Sequence, residues 1–400
     1  MGVHVLIGFA EALPTPEVIF SLAQAGHTVS VFTRHGTTSP LFTQLPVKHV
    51  YRVSPPERSV AETITDIRAI FAQPNAPDFI FALDDPALFL VNEAIEASSK
   101  LPRVANATGR PGEVALDKSQ QIAHAREAGF AVPPTIVAQT PSDLSAATVF
   151  PAIAKSALAV EVDNGKLIKG KAQYLPDSDA LAALKTSLRH DMSPLLVQPL
   201  IEGGGEGVFG FMTDNGVLAW SGHERVRMMN PHGSGSSACQ TRPPSKKMQM
   251  VCEDFLTRIN WRGPFMIELL RARDTTPYFM ELNGRMWGSM ALARRAGYEY
   301  PAWSIAQTLD RGFRPGPITP ENSQLLLRHL GRDIAHLLFV MRGPQTDFHK
   351  STWPKFGSAF VNVLKPNHRR NFYNYDPAHR WYFIRDAYDV VKKTIFKARG

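Results

Sequence analysis

The chain has 400 residues, 44% hydrophobic and 20% charged, a balance that supports about two to four compact units with real cores and excludes a disordered polymer. Its start, MGVHVLIGFAEALPTP, lacks the basic region and long apolar run of a secretion signal, and no stretch approaches the roughly 18 consecutive apolar residues of a spanning helix, so a cytoplasmic protein is expected. The formal charge of +8 sits at one end: residues 331 to 400 hold thirteen Lys or Arg against five Asp.

In chain order, VHVLIGFA reads as a buried strand, PEVIFSLAQAG as a helix closed by Gly26, and HTVSVFTR as a second strand. Helical periodicity follows over Thr65–Phe71, then a strand DFIFALDD ending in Asp84 and Asp85, a helix ALFLVNEAIEASSK and a short strand PRVAN. This alternation predicts an open, largely parallel α/β sheet over residues 1–112, and the turn at Gly8 does not match GxGxxG. Asp117 is placed to cap a helix whose inner face holds Ile122 and Ala125 and which Gly129 ends. Short strands and helices then alternate through TIVAQ, FPAIAKSA, DALAALKTSL and PLLVQPLI, and Asn215-Gly216 marks the turn of a β-hairpin. The basic, aromatic-laced tail reads as a helical cap with Ile384, Ala387, Val391 and Thr394 facing inward. Peripheral contact with an anionic membrane through that tail is the alternative, and no nucleic-acid partner is expected. Cys239 and Cys252 lack any CxxC or Cys/His metal spacing and read as structural thiols.

The segments GPFMIELL (263–270) and PYFMELNGRMWGS (277–289) carry the sharpest chemistry. Residues two apart on a strand share a face, so Glu281 and Asn283 point together while Met280 and Leu282 point into the core. With DTTP (274–277) as the loop, Glu268 falls opposite Asn283 and Leu269 opposite Leu282. Two carboxylates and an amide oxygen suit a hard divalent cation that also binds phosphate. Arg285, two residues on, is a guanidinium suited to charge on a transferring phosphoryl group. Lys118, near a helix start, and Lys155, ending a buried strand, are cations suited to polyphosphate. The segment LLVQPLIEGGGEG (195–207) supplies a strand running into a glycine-rich bend, fit for adenine on the backbone and an acid on the ribose. His223, Arg225 and Arg227 share a strand face before a flexible Gly/Ser loop, an arrangement suited to an anion or acyl phosphate. Glu11, Arg34, Asp84 and Asp85 are further candidates near strand ends of the first region.

Taken in order, LDKSQQIAHAREAGFAVPPT, FPAIAK with LLVQPLIEGGGEG, and MIELL with PYFMELNGRMWGSMALARRAGYEYP resemble the ATP-grasp superfamily from about Leu116 to Pro301. Within it, the chain is similar to carboxylate–amine ligases of the carbamoyl-phosphate synthase large-subunit type. The resemblance implies a Rossmann-like domain over 1–112, two α+β subdomains over 113–194 and 195–315 with the nucleotide between them, and a basic, mainly helical extension over 316–400. It implies that Lys118 and Lys155 grip the ATP phosphates, that backbone over Gln198, Leu200 and Ile201 meets adenine, and that Glu202 or Glu206 holds the ribose. Glu268, Glu281 and Asn283 would ligate two Mg²⁺ ions, with Mn²⁺ as a substitute, and Arg285, Lys155 and Arg225 would serve catalysis. The activity implied is phosphorylation of a small-molecule carboxylate to an acyl phosphate and its coupling to an amine. Bicarbonate or a hydroxyl as the acceptor, or a non-catalytic ATP binder acting through the tail, are the other readings. Two departures stand out: Gly284 replaces the usual proline, loosening the backbone there, and the loop after Lys155 lacks dense glycine, leaving Lys166, Lys169 or Lys171 as a charged lid.

Overall fold

The computed structural model describes residues 2–39, 41–96, 103–168, 170, 172–189, 192–316, 318, 324–366 and 371–396. Strands β1 (His4–Gly8), β2 (Thr28–Arg34), β3 (Val50–Val53), β4 (Phe79–Ala82) and β5 (Arg103–Val104) form a parallel sheet in the order β3-β2-β1-β4-β5. Helices α1 (Thr15–Gln24), α2 (Leu41–Gln44), α3 (Val60–Phe71) and α4 (Asp85–Glu96) connect them. Val5, Leu6 and Ile7 of β1 and all of β4 are buried, as strands covered on both faces must be. The strand order reverses between β1 and β4, so the segments leaving both strands, Ala10–Leu13 and Asp84–Asp85, open a crevice at their carboxyl ends.

After α5 (Arg110–Leu116) and α6 (Lys118–Glu127), β6 (Ile136–Ala138), β7 (Ala152–Ser156), β8 (Glu161–Asp163), β9 (Lys166–Ile168), β10 (Ala172–Leu175), α7 (Ser178–Ser187) and β11 (Leu195–Pro199) follow. They build an antiparallel sheet, β10-β7-β11-β6, and a small β8-β9 hairpin. Asp117 caps α6 as expected, accepting from Ser119 N at 2.9 Å and Gln120 N at 3.3 Å. The hairpin is pinned to the first sheet's layer, with Val60 N donating to Gly165 O at 2.9 Å and Leu167 N to Pro56 O at 2.8 Å.

The remainder comprises β12 (Gly203–Thr213), β13 (Gly216–Asn230), β14 (Ser234–Thr241), α8 (Lys246–Arg258), β15 (Gly263–Ala272), β16 (Pro277–Asn283), α9 (Met290–Arg295) and α10 (Tyr300–Leu309). Beyond these come β17 (Leu326–Arg328), α11 (Leu330–Arg342), α12 (Phe356–Leu364) and α13 (Arg380–Phe396). Six strands pair antiparallel in the order β16-β15-β12-β13-β14-β17. Alternation divides this sheet cleanly: Val208, Ile267 and Leu269 pack toward Phe255 and Trp261, while Phe209, Phe211 and Met266 pack toward Trp287 and Tyr300.

Two sequence expectations change here. The Gly/Ser stretch after Asn230 is not a flexible loop but β14, zipped between β13 and β17 with Ser236 and Ser237 buried. The extension after residue 316 contributes one short strand, β17, to the large sheet before its helices begin. On α13 the inner face is Tyr382 and Ala387, 4% and 6% exposed, whereas Ile384 is 54% exposed. Ala387 faces inward as expected and Val391 and Thr394 are half-buried, so only Ile384 departs from the expected face.

Candidate functional site

The site begins at the β15–β16 hairpin. The turn spans Ala272–Thr276 rather than DTTP, and Met280 is an extra residue on β16 between the pairs Leu269↔Phe279 and Glu268↔Glu281. This bulge corrects the expected register: Glu268 lies opposite Glu281, and Asn283 opposite Met266. The core residues flanking the bulge are accordingly Phe279 and Leu282, not Met280 and Leu282. Two carboxylates thus face one another across adjacent strands. Burial and the negative charge of Glu268 push the Glu281 carboxyl up, opposed by Lys118 and Arg285.

Cations converge on the pair. Lys118 Nζ lies 3.7 Å from Glu281 Oε2, and its own N–H donates to Ala157 O at 2.8 Å, which fastens the start of α6 beside the end of β7. Lys155, on β7, is half-buried; burial lowers its pKa, while Glu281 and Glu268 raise it. Arg225 Nη2 contacts Glu268 Oε2 at 2.8 Å. Arg285 donates to Asp85 through Nε at 3.2 Å and Nη2 at 3.4 Å, tying the hairpin's exit to the β4 crevice. Asn283 is buried, and its amide nitrogen donates to Met266 Sδ at 3.0 Å, leaving the amide oxygen for a cation. Glu268, Glu281, Asn283, Arg225 and Arg285 line one cavity of about 300 Å³, closed on the first sheet's side by Leu13, Leu83 and Asp84.

Other expected residues are placed differently. Glu206 shares its sheet face with Leu269, not with Glu268, which pairs with Gly207. There it is buried and gripped by Arg271 (Nε–Oε1 2.6 Å, Nη2–Oε2 2.7 Å) and Arg242 (3.1 Å), so it is withdrawn as a ribose ligand. Glu202, at the bend, pairs with Arg273 and is the remaining acid. The Leu200 N–H already donates to Pro151 O at 2.9 Å, so an adenine edge would have to use other backbone groups over Gln198–Ile201, and the Gln198 side-chain amide donates to Thr135 Oγ1 at 2.8 Å. Arg227 leaves the site because β13 bulges on either side of it; its Nε donates to Asp333 Oδ1 at 3.0 Å. His223 lines the cavity, but burial and neighbouring Arg225 push its pKa to about 3, so it stays neutral and is not an anion-binding cation. Glu11 is spent on Thr33 Oγ1 (2.5 Å) and Arg34 N (2.9 Å), and Arg34 on Glu57 (3.1 Å). Lys166 is exposed on the pinned hairpin, and Lys169 and Lys171 lie outside the described residues.

Gly284 does not loosen the chain. A Cβ there would sit 2.5 Å from Ala115 Cβ and 3.0 Å from Leu88 Cδ2, so glycine permits the hairpin to press against α4 and α5. Gly205 and Gly207 act similarly: side chains there would meet Arg225 Cδ at 2.7 Å and His223 Nε2 at 3.0 Å.

Three groups escaped the sequence reading. Gln121, buried in α6, accepts from Leu282 N at 2.7 Å and donates to Leu282 O at 3.3 Å and Ala115 O at 2.8 Å, fixing the β16 backbone between Glu281 and Asn283. Arg332 reaches the cavity from α11 and donates to Ser236 O at 3.1 Å; among the described residues no carboxylate lies within ion-pairing distance of it. It also borders a second cavity of about 750 Å³ between the first sheet's loops and α13. Ser289, Trp287, His223 and Arg225 line the first cavity, and the Ser289 hydroxyl, the Trp287 indole N–H, both His223 ring nitrogens and Arg225 Nε are buried without a hydrogen-bond partner among the described residues. Such orphaned polar groups beside a cavity mark a place built for a polar ligand. Only the three-dimensional fold could have revealed Arg332, which lies far beyond the segments that carry the motif.

No family model matches the sequence, and none of the curated proteins matches it. Solved structures do match. An L-amino acid ligase from Bacillus licheniformis superposes with a TM-score of 0.62 at 17% identity, over 80% of this chain and 78% of that one. An N5-carboxyaminoimidazole synthetase from Staphylococcus aureus gives 0.62 at 12% identity over 84% of each. The biotin carboxylase domain of 2-oxoglutarate carboxylase from Hydrogenobacter thermophilus, solved with MgADP, ADP and bicarbonate, gives 0.62 at 12% identity over 82% and 74%. At these identities the likeness is one of fold, and with the parallel sheet, the two antiparallel sheets and the hairpin bearing Glu268, Glu281 and Asn283, the chain has the fold of the ATP-grasp superfamily.

Proposed function

We propose that the protein is an ATP-dependent ligase that phosphorylates a substrate carboxylate and couples the acyl phosphate to an amine. The observation that carries this reading is the facing pair Glu268 and Glu281 with Lys118 beside it and Arg225 and Arg285 at its flanks. Solved relatives in complex with ADP and MgADP support nucleotide and Mg²⁺ use. The donor set fits the metal: two like-charged carboxylates and an amide oxygen are unfavourable neighbours until a divalent cation joins them, and magnesium takes its other ligands from phosphates and water. Glu268, Glu281 and Asn283 would hold up to two such ions, which when bound neutralise the phosphate oxygens.

Lys118 and Lys155 would draw the polyphosphate toward the hairpin, and Glu202 would accept from the ribose hydroxyls. The substrate carboxylate oxygen attacks the γ-phosphorus in line, the bond to the β–γ bridging oxygen breaks, and ADP departs with that electron pair. Arg285 and Arg225 face the charge that grows on the transferring group, held in place by Asp85 and Glu268 so that little reorganisation is needed. The amine then attacks the acyl carbon and inorganic phosphate leaves. Asp84, lining the cavity with its pKa raised by burial to about 6, is suited to take the amine's proton.

The test is ADP and phosphate release from Mg²⁺-ATP over a panel of amino acids, other small carboxylates, bicarbonate and amines, comparing wild type with Glu281→Ala. Release that depends on a carboxylate and falls about 100-fold or more in the variant, the several kcal/mol a bound metal contributes, supports the reading. Failure of the wild type to bind Mg²⁺-ATP would sink it.

A further inference from the structure

Helix α12 is inside out. Phe356, Phe360 and Leu364 recur every fourth residue on one stripe, with Val361 alongside, and are 43%, 43%, 64% and 59% exposed. Ala359 is its one buried residue, and Ser358 and Asn362, on the other side of the helix, line a cavity of about 610 Å³ beneath it. A surface helix of a globular protein ordinarily turns its apolar stripe to the core and its polar side to water. Here the apolar stripe faces outward, and the Phe356 and Phe360 rings stack on each other with centroids 6.0 Å apart.

The charge around this helix is equally one-sided. Between Asp347, which pairs with Lys350 at 2.6 Å, and Asp376 the sequence has no acidic residue, while Lys355, Lys365, Arg369 and Arg370 flank the apolar run in sequence on both sides. Lys355 and Lys365 bracket the helix as its capping residues and are exposed. An apolar stripe with a lysine at each end of its helix, in a stretch of sequence without acids, matches the boundary of an anionic bilayer: phenylalanine and leucine enter the acyl region while the ammonium groups at the helix ends reach phosphates. Lysine stems are long enough to cover apolar surface and keep their charge at headgroup level. No helix among the described residues is long and apolar enough to cross a membrane, so the contact is a peripheral one.

We propose that α12 docks the protein on an anionic lipid surface, inserting Phe356, Phe360, Val361 and Leu364. None of these side chains lines the cavity holding Glu268 and Glu281, so the docking face and the nucleotide site are separable. The experiment is sedimentation of the full-length protein with vesicles of phosphatidylcholine alone and of phosphatidylcholine mixed with phosphatidylserine, at low and high salt. It is repeated for the double variant Phe360→Asp/Leu364→Asp, whose melting temperature and Mg²⁺-ATP binding are checked against wild type. The expected result is an affinity about tenfold or more higher for the anionic vesicles, weakened by salt, and reduced to the neutral-vesicle level in a variant with unchanged melting and nucleotide binding. Three results would overturn the proposal: no binding of wild type to anionic vesicles, equal binding by the folded double variant, or a wild-type dimer in light scattering that the double variant splits into monomers. The last would assign the stripe to a second copy of the chain.

Discussion

Arg332 concentrates the electrostatic question at the scale of single residues. This guanidinium, beside Arg225 and with no carboxylate within ion-pairing distance among the described residues, loses solvation on burial, and that loss lowers its pKa even though Tyr373 and Asp386 act in the opposite sense. In the proposed ligase its natural partner is an anionic group of a substrate lying between the two cavities. Arg332→Gln should therefore leave Mg²⁺-ATP affinity unchanged and raise the KM for that substrate by about 10- to 100-fold, the 1.5–3 kcal/mol of a charged hydrogen bond, read from steady-state kinetics. Asp84 gives a pH signature. Burial raises its pKa to about 6, so the carboxylate needed as a base is present above that value and lost as pH falls through it. The rate should decline below about pH 6 in wild type, and Asp84→Asn should lower kcat and remove that limb of the profile, while His223, with a pKa of about 3, contributes no inflection near neutrality.

At the scale of elements, the site depends on how β16 is held. The Met280 bulge turns Glu281 to face Glu268, and the Gln121 amide then bonds both sides of the Leu282 peptide unit. Gln121→Leu keeps the volume but orphans the buried Leu282 N–H, at a cost of about 1–3 kcal/mol. The expected result is a lower melting temperature together with weaker Mg²⁺-dependent nucleotide binding, since the backbone between two metal ligands is released. Gly284→Ala tests the seam with the first sheet's layer. Its Cβ would be driven to 2.5 Å from Ala115 Cβ, and denaturant melts should record a loss of about 1–3 kcal/mol typical of overpacking.

On the scale of the whole molecule, the two ends of the chain meet at Glu17 of α1. This buried carboxylate accepts from Arg294 Nη1 at 2.6 Å and from Asn374 N at 2.9 Å, so one side chain joins the first sheet's layer, α9 and the segment before α13. Glu17→Ala should cost about 3–5 kcal/mol, seen in equilibrium unfolding, because Arg294 is left buried with a weaker set of partners. Much of this architecture is legible in the sequence. Strand and helix alternation over the first 112 residues, the Asp117 cap, the Asn215-Gly216 turn and the pairing of the Glu268 and Glu281 strands follow from side-chain period and turn chemistry, which act between neighbours. Lys118 and Lys155 stand out in the sequence as cations suited to polyphosphate, and the fold sets Lys118 beside Glu281. The rest was settled by contacts distant in sequence. Which residue a carboxylate faces depends on a single bulged residue, so Glu268 meets Glu281 and not Asn283. Whether an arginine serves a site depends on what else packs against it: Asp333 removes Arg227 while α11 delivers Arg332, and a glycine that looks like freedom in the sequence is a requirement of close packing once Ala115 and Leu88 are in place.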